Sequence, residues 1–192
     1  VGEQTITYTA TDSLGNTTTA TRILNVVDTI APVITIIGDD PATSELGSDY
    51  TDAGATATDN RDGTVEVVVS STSNQNTLGT QYIFYTATDS SGNETQVFRT
   101  LNVVDTAGPV ITIIGENPVT VEYGSNYVDA GATASDLRDG ATTVTVSSSS
   151  STTTLGEQTI TYTSSDSLGN TSTAVRTITV VDTAGPVITI IG

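Results

Sequence analysis

Apolar residues alternate with threonine through many short stretches of this chain, and a two-residue period predicts strands. QTITYTATD (4–12) puts Ile6, Tyr8 and Ala10 on one face and Thr5, Thr7 and Thr9 on the other, and QYIFYTATD (81–89) alternates in the same way. TSTAVRTITVV (171–181) is a long final strand. PVITII recurs at 32–37, 109–114 and 186–191, led by a proline that suits the first position of an edge strand. A weaker strand is expected around PVTVEYGS (118–125), which reads PATSELGS in the earlier copy. YTDAGATATD (50–59) is a short extended segment with a glycine break, and TVEVVVSS (64–71) is one strand after the turn DNRDG. The turns DSLGN and DSSGN close hairpins, and no segment shows a helical period. The pattern predicts an all-β chain of small antiparallel sandwiches with six or seven strands each.

The pattern is periodic at a longer scale. DTIAPVITIIG at 28–38 returns as DTAGPVITIIG at 105–115 and 182–192, a spacing of 77 residues without gaps. Residues 29–105 and 106–182 are identical at 45 of 77 positions, which sets the frame. The expected domains are therefore 29–105 and 106–182. Residues 1–28 would be the C-terminal strands of a preceding repeat, and 183–192 the first strand of a following one. The chain is expected to be part of a longer protein.

YxDAGATAxD, the D-G turn, the TYTxxDxxGN hairpin and the VVDTxxP junction recur in the order PVITIIG…VEYGSNYVDAGATASDLRDG…GEQTITYTSSDSLGN…RTITVVD. This string resembles the Ig-like tandem repeats of large bacterial surface proteins, relatives of the hyalin-repeat domains, over essentially the whole chain. The resemblance implies immunoglobulin-like sandwiches in extracellular stalks, adhesins and multidomain enzymes. It implies no activity, because a fold carries no function by itself.

Composition narrows the chemistry. The chain has no His, Cys, Met or Trp, and its five basic residues are all arginine. Nitrogen- and sulfur-ligated zinc, a Ser-His-Asp triad and a thiol nucleophile are excluded. Disulfides, Schiff bases and Lys–Asn isopeptide staples are excluded as well. A net charge of −17 argues against nucleic acid and anionic membranes, because phosphate binding needs a basic face. Disorder does not fit a chain that is 35% hydrophobic with Val and Ile in strand-like alternation. No apolar run approaches the ~18 residues of a membrane span.

Acidic clusters are the candidate chemistry. Each unit has a D-x-x-D-G loop with an upstream acid, giving Asp52, Asp59 and Asp62 in one copy and Asp129, Asp136 and Asp139 in the next. Junction aspartates Asp28, Asp105 and Asp182 and hairpin aspartates Asp12, Asp89 and Asp166 share the period. Calcium takes six to eight oxygens, so ligands would have to converge from several loops. The nine candidate ligands are Asp28, Asp52, Asp59, Asp62, Asp105, Asp129, Asp136, Asp139 and Asp182. Alternatively, Asp59 and Asp62 cap a turn and pair with Arg61, while Asp12 bonds its own hairpin backbone. A glycosidase dyad would need a deep aromatic cleft, which a unit of 77 residues without Trp can hardly build. Sequons place glycan acceptors at Asn16, Asn93 and Asn170, all at one hairpin turn that is itself good turn chemistry. Tyr8, Tyr85 and Tyr162 lie on the apolar phase and should be core, with the hydroxyl reaching a loop. Arg22, Arg99 and Arg176 are expected to run along the sandwich rim and meet a carboxylate.

The expected function is a non-catalytic structural repeat in a semi-rigid stalk or filament of an adhesin-type protein on a prokaryotic cell surface. Its partners would be neighbouring repeats of the same chain, with lateral self-association between chains. Neither nucleic acid nor direct membrane insertion fits this segment. Calcium is the one cofactor the composition admits. Two other readings stay open: a glycan- or protein-binding module, and an accessory domain of a secreted enzyme.

Overall fold

The computed structural model describes every residue except 72 and 149, and the described residues form only strands and turns. The strands are β1 (Gly2–Thr11), β2 (Thr17–Val26), β3 (Val33–Ile36), β4 (Ala42–Glu45), β5 (Ala55–Asp59), β6 (Gly63–Val65), β7 (Val67–Ser71), β8 (Gly79–Thr88) and β9 (Glu94–Val104). The pattern then repeats as β10 (Val110–Ile113), β11 (Val119–Glu122), β12 (Ala132–Asp136), β13 (Gly140–Thr142), β14 (Val144–Ser148), β15 (Gly156–Ser165) and β16 (Thr171–Val181). β1 and β2 form an antiparallel hairpin.

Each repeat pairs a three-stranded sheet, β3-β5-β6 or β10-β12-β13, with a four-stranded sheet, β4-β9-β8-β7 or β11-β16-β15-β14. The sandwich is antiparallel except at one edge, where β11 runs parallel to β16 with Val119 opposite Ile178. Pro32 and Pro109 stand immediately before the edge strands β3 and β10, as a residue without an N–H requires, and both are fully buried. The segment expected as one strand over 64–71 is two. β6 pairs with β5 and β7 with β8, so the chain changes sheets at Glu66.

The third PVITII copy, 186–191, is unpaired and forms no strand here. In the earlier copies this segment pairs with β5 or β12, and the 192 residues hold no third copy of that partner. By contact the chain divides into two compact units: 1–43, 50–74 and 80–102 make one, and 44–49, 75–79 and 103–192 the other.

Period-two alternation fills each core. Ile83, Tyr85 and Ala87 of β8 face inward with Leu101 and Val103 of β9. Ile160, Tyr162, Ile178 and Val180 do the same in the second repeat, with Ile111, Ile113, Val119, Val121 and Val144 packed against them. Arginine shares this inward phase and is not at the rim. Arg99 and Arg176 are 1% and 2% exposed. The rim was the expected place, and burial corrects it: a side chain with five N–H donors can lie inside only where acceptors surround it.

Those acceptors come from three segments. Arg99 Nε lies 3.0 Å from both the Tyr85 hydroxyl and Asp52 Oδ1. Its Nη1 donates to the Asp39 carbonyl, and its Nη2 to the carbonyls of Ile37 and Gly54. The Tyr85 hydroxyl donates to Asp52 Oδ1 at 2.8 Å. Arg176, Tyr162 and Asp129 repeat the arrangement, with Arg176 Nη1 donating to the Glu116 carbonyl at 2.8 Å. Desolvation raises the pKa of Tyr85 and Tyr162, which keeps each hydroxyl a donor to its aspartate.

Candidate functional site

The D-x-x-D-G turn is built by its first aspartate. Asp59 Oδ1 accepts the backbone N–H groups of Arg61 and Asp62 at 2.8 and 2.9 Å, and Asp136 Oδ1 accepts those of Arg138 and Asp139. The turn closes through Gly63 and Gly140, at φ of 72° and 70°, the left-handed region where a side chain would be strained. The second aspartate ties this turn to the hairpin turn. Asp62 Oδ2 accepts the Ser90 N–H at 2.7 Å, and Asp139 Oδ2 accepts that of Ser167. These backbone bonds are the main reason both carboxyls are held below the ordinary range.

The hairpin turn is built in the same manner. Asp89 Oδ1 accepts the N–H groups of Ser91 and Asn93, and Oδ2 accepts Asn93 Nδ2 at 2.7 Å. Asp166 and Asn170 repeat this. Burial pushes both carboxyls up, but hydrogen bonds from Asn93 or Asn170 and the turn amides outweigh it and lower their pKa. The same asparagine reaches onward: Asn93 Nδ2 donates to the Asp28 carbonyl at 3.2 Å and Asn170 Nδ2 to the Asp105 carbonyl at 3.1 Å. The nitrogen that a glycan would occupy at Asn93 and Asn170 is thus already engaged in hydrogen bonds. Asn16 Nδ2 donates to Asp12 Oδ2 at 2.9 Å in the exposed hairpin.

Together these turns assemble two acid trios. Asp28, Asp59 and Asp89 each present a carboxylate oxygen, as do Asp105, Asp136 and Asp166, and within each trio these atoms lie within 4.8 Å of one another. Each trio lies inside one compact unit. Asp59, Asp89, Asp105, Asp136 and Asp166 are at most 9% exposed. Asp59 Oδ2 and Asp105 Oδ2 are buried without a hydrogen-bond partner. Burial raises the pKa of Asp105, and repulsion from Asp136, Asp166 and Glu45 adds to it against a weaker pull from Arg138.

Of the nine expected ligands, the structure brings together Asp28 with Asp59, and Asp105 with Asp136. Asp52 and Asp129 instead serve the buried arginines, Asp62 and Asp139 brace the hairpin turn, and exposed Asp182 joins neither trio. The trios are completed by Asp89 and Asp166. Both were visible as periodic acids, but only tertiary folding sets a hairpin turn against a junction 61 residues away, Asp89 against Asp28 and Asp166 against Asp105.

Two further features escaped sequence reasoning. Glu45 clamps the segment after β9: its carboxylate accepts the N–H and hydroxyl of Thr106 at 2.7 Å each and the Ala107 N–H at 3.1 Å. Glu122 holds Thr183 and Ala184 in the same way. Their identical place in the period was the available signal. The other feature belongs to the first repeat alone. Tyr82, Phe84 and Phe98 cluster on the outer face of β8 and β9, with Tyr82 and Phe98 edge to face at 5.1 Å. The second repeat carries Thr159, Thr161 and Val175 at those positions.

Residues 34–103 and 111–180 both match the family described as bacterial surface protein, Ig-like domain, and the chain belongs to that family. It is 34% identical to hyalin of Strongylocentrotus purpuratus over 99% of its own length and 17% of that protein's. It is 36% identical to hyalin of Lytechinus variegatus, over 98% of this chain and 39% of that one. A serine-rich adhesin for platelets from Staphylococcus aureus is 35% identical over 50% of this chain and 8% of the adhesin. The chain thus spans well under half the length of these relatives. Among solved structures, the M60 catalytic domain with two CBM51 domains of Clostridium perfringens ZmpB aligns over 91% of this chain and 33% of that one, at TM-score 0.48 and 15% identity. No helix among the described residues is long and apolar enough to cross a membrane.

Proposed function

We propose that these repeats are a non-catalytic spacer, a semi-rigid length of stalk in an adhesin-type protein on a prokaryotic cell surface. The observation that carries this reading is the carboxylate clamp at the end of each repeat. Glu45 and Glu122 each fix the second and third residues after the final strand with three hydrogen bonds. A Gly/Ser linker would leave that segment free. The gapless period supports the same reading, since a spacer gains length by copying its whole unit, junction included. Small-angle scattering of the chain against its E45A/E122A variant tests this. A spacer stiffened by the clamps loses maximum dimension in the variant while each repeat stays folded. Indistinguishable profiles would refute the role of the clamps.

A binding module is favoured by one observation, the outward aromatic cluster of Tyr82, Phe84 and Phe98. Aromatic faces are suited to stacking on sugar rings or to anchoring a protein partner. Binding to a glycan array that Y82A/F98A abolishes would establish that reading.

A further inference from the structure

We propose that each acid trio, Asp28–Asp59–Asp89 and Asp105–Asp136–Asp166, is a calcium site. Three carboxylates whose oxygens lie within 4.8 Å, five of the six residues at least nine-tenths buried, concentrate negative charge where water cannot screen it. In each trio one oxygen, Asp59 Oδ2 or Asp105 Oδ2, is buried and unpartnered. A buried carboxylate oxygen with no donor is costly unless a cation meets it. The remaining oxygens do not need the cation for their turns, because Asp59 and Asp136 cap their turns through Oδ1.

The donor set selects the metal. All three side chains offer oxygen, and a chain without His or Cys offers no softer ligand. Calcium accepts irregular shells of six to eight oxygens, so three carboxylates can be completed by backbone carbonyls and water. Magnesium demands a near-ideal octahedron and gives up its water reluctantly, so it fits less well. The trios are not equivalent. In the first, Arg61 Nη1 stands 3.7 Å from Asp28 Oδ2 and competes with a cation. In the second, the corresponding Arg138 pairs with Asp139, outside the trio. The second site is therefore the tighter one.

The test is calorimetric titration of the metal-free chain with calcium chloride, paired with thermal melts in calcium and in chelator. Two calcium ions should bind per chain, in the range of about 10⁻⁴–10⁻³ M typical of extracellular modules. D59N should remove the weaker site and D136N the tighter, since asparagine keeps the turn-capping oxygen but loses the charge. D12N, in the hairpin copy that joins no trio, should keep both. D105N guards against misfolding in the second site, because the Asp105 carboxylate caps no turn. Calcium should raise the melting temperature of the wild type, and magnesium at equal concentration should raise it less. No heat and no melting shift at 10 mM calcium (about tenfold above the weak end of that range), or two sites persisting in D59N and D136N, would overturn the proposal. The spacer reading is tested by the glutamate clamps and stands or falls separately.

Discussion

The hairpin β1–β2 and the hairpin β15–β16 are nearly the same sequence in two environments. Residues 1–38 and 155–192 are identical at 28 of 38 positions, and both hairpins pair in the same register, Gly2 with Val26 and Gly156 with Val180. Their turns are also the same: Asp12 Oδ1 accepts the N–H groups of Leu14 and Asn16 at 2.9 and 2.8 Å, as Asp166 Oδ1 does for Leu168 and Asn170. Burial is what differs. Tyr8 is 53% exposed and Tyr162 fully buried, and Arg22 is exposed while Arg176 is enclosed. Pairing and capping are properties of the hairpin. The core, the buried arginine and the acid trio are properties of the sheet and loops laid over it.

The largest effect should come from the arginine. R176A leaves Asp129 and Tyr162 without the cation they face, and should destabilise the second repeat by about 3–5 kcal/mol. R22A should stay within about 0.5 kcal/mol. Urea denaturation, with hydrogen exchange at Ile178 and Val180 to localise the loss, would separate the two. Equal effects would mean that the buried network contributes nothing the hairpin lacks.

Next is the apolar stripe. I160V trims a side chain that is 2% exposed and should cost about 1 kcal/mol, whereas I6V trims one that is 40% exposed and should cost a few tenths. The same denaturation curves measure both.

The turn offers a finer contrast. N170A removes bonds to both Asp166 and the Asp105 carbonyl and should cost about 1 kcal/mol, while N16A removes the Asp12 bond in an exposed turn and should cost less. Amide exchange at Gly169 and Gly15 reports each opening directly.

The smallest effect is expected at the exit from the buried hairpin. The Thr183 N–H and hydroxyl lower the pKa of Glu122. Its folded value lies below its unfolded one, so its stabilisation is complete above the ordinary glutamate range and fades as pH falls through the lowered value. Melting temperature followed downward from pH 6 should drop less steeply in E122Q than in the wild type.

Much of this molecule was legible in its sequence. Alternation located the strands and their inward faces, because side chains on a strand alternate whatever lies beyond it. The period located the repeats, and D-x-x-D-G and DSLGN located turns whose caps are made within four residues. The reading lost resolution where the partner was distant. A single strand was expected over 64–71 because its pattern is continuous, but the two sheets claim different halves of it. The rim is where a long stem with a charged head is expected to lie, and nothing local shows the acceptors that draw Arg99 and Arg176 inside. Their acceptors, the carbonyls of Ile37, Asp39 and Gly54 with Asp52 and Tyr85, lie 14 to 62 residues away in sequence.

By itself, then, the sequence determined what depends on neighbours a few residues apart: strand phase, hairpin register, turn capping and the 77-residue frame. Tertiary structure alone decided which of the periodic acids meet. Asp52, Asp59 and Asp62 look alike along the chain, yet one neutralises a buried arginine, one joins a trio and one braces a turn. The reason is electrostatic. A carboxylate's role is set by the charges and donors within a few ångströms of it, and here those arrive from segments roughly 30 to 60 residues away.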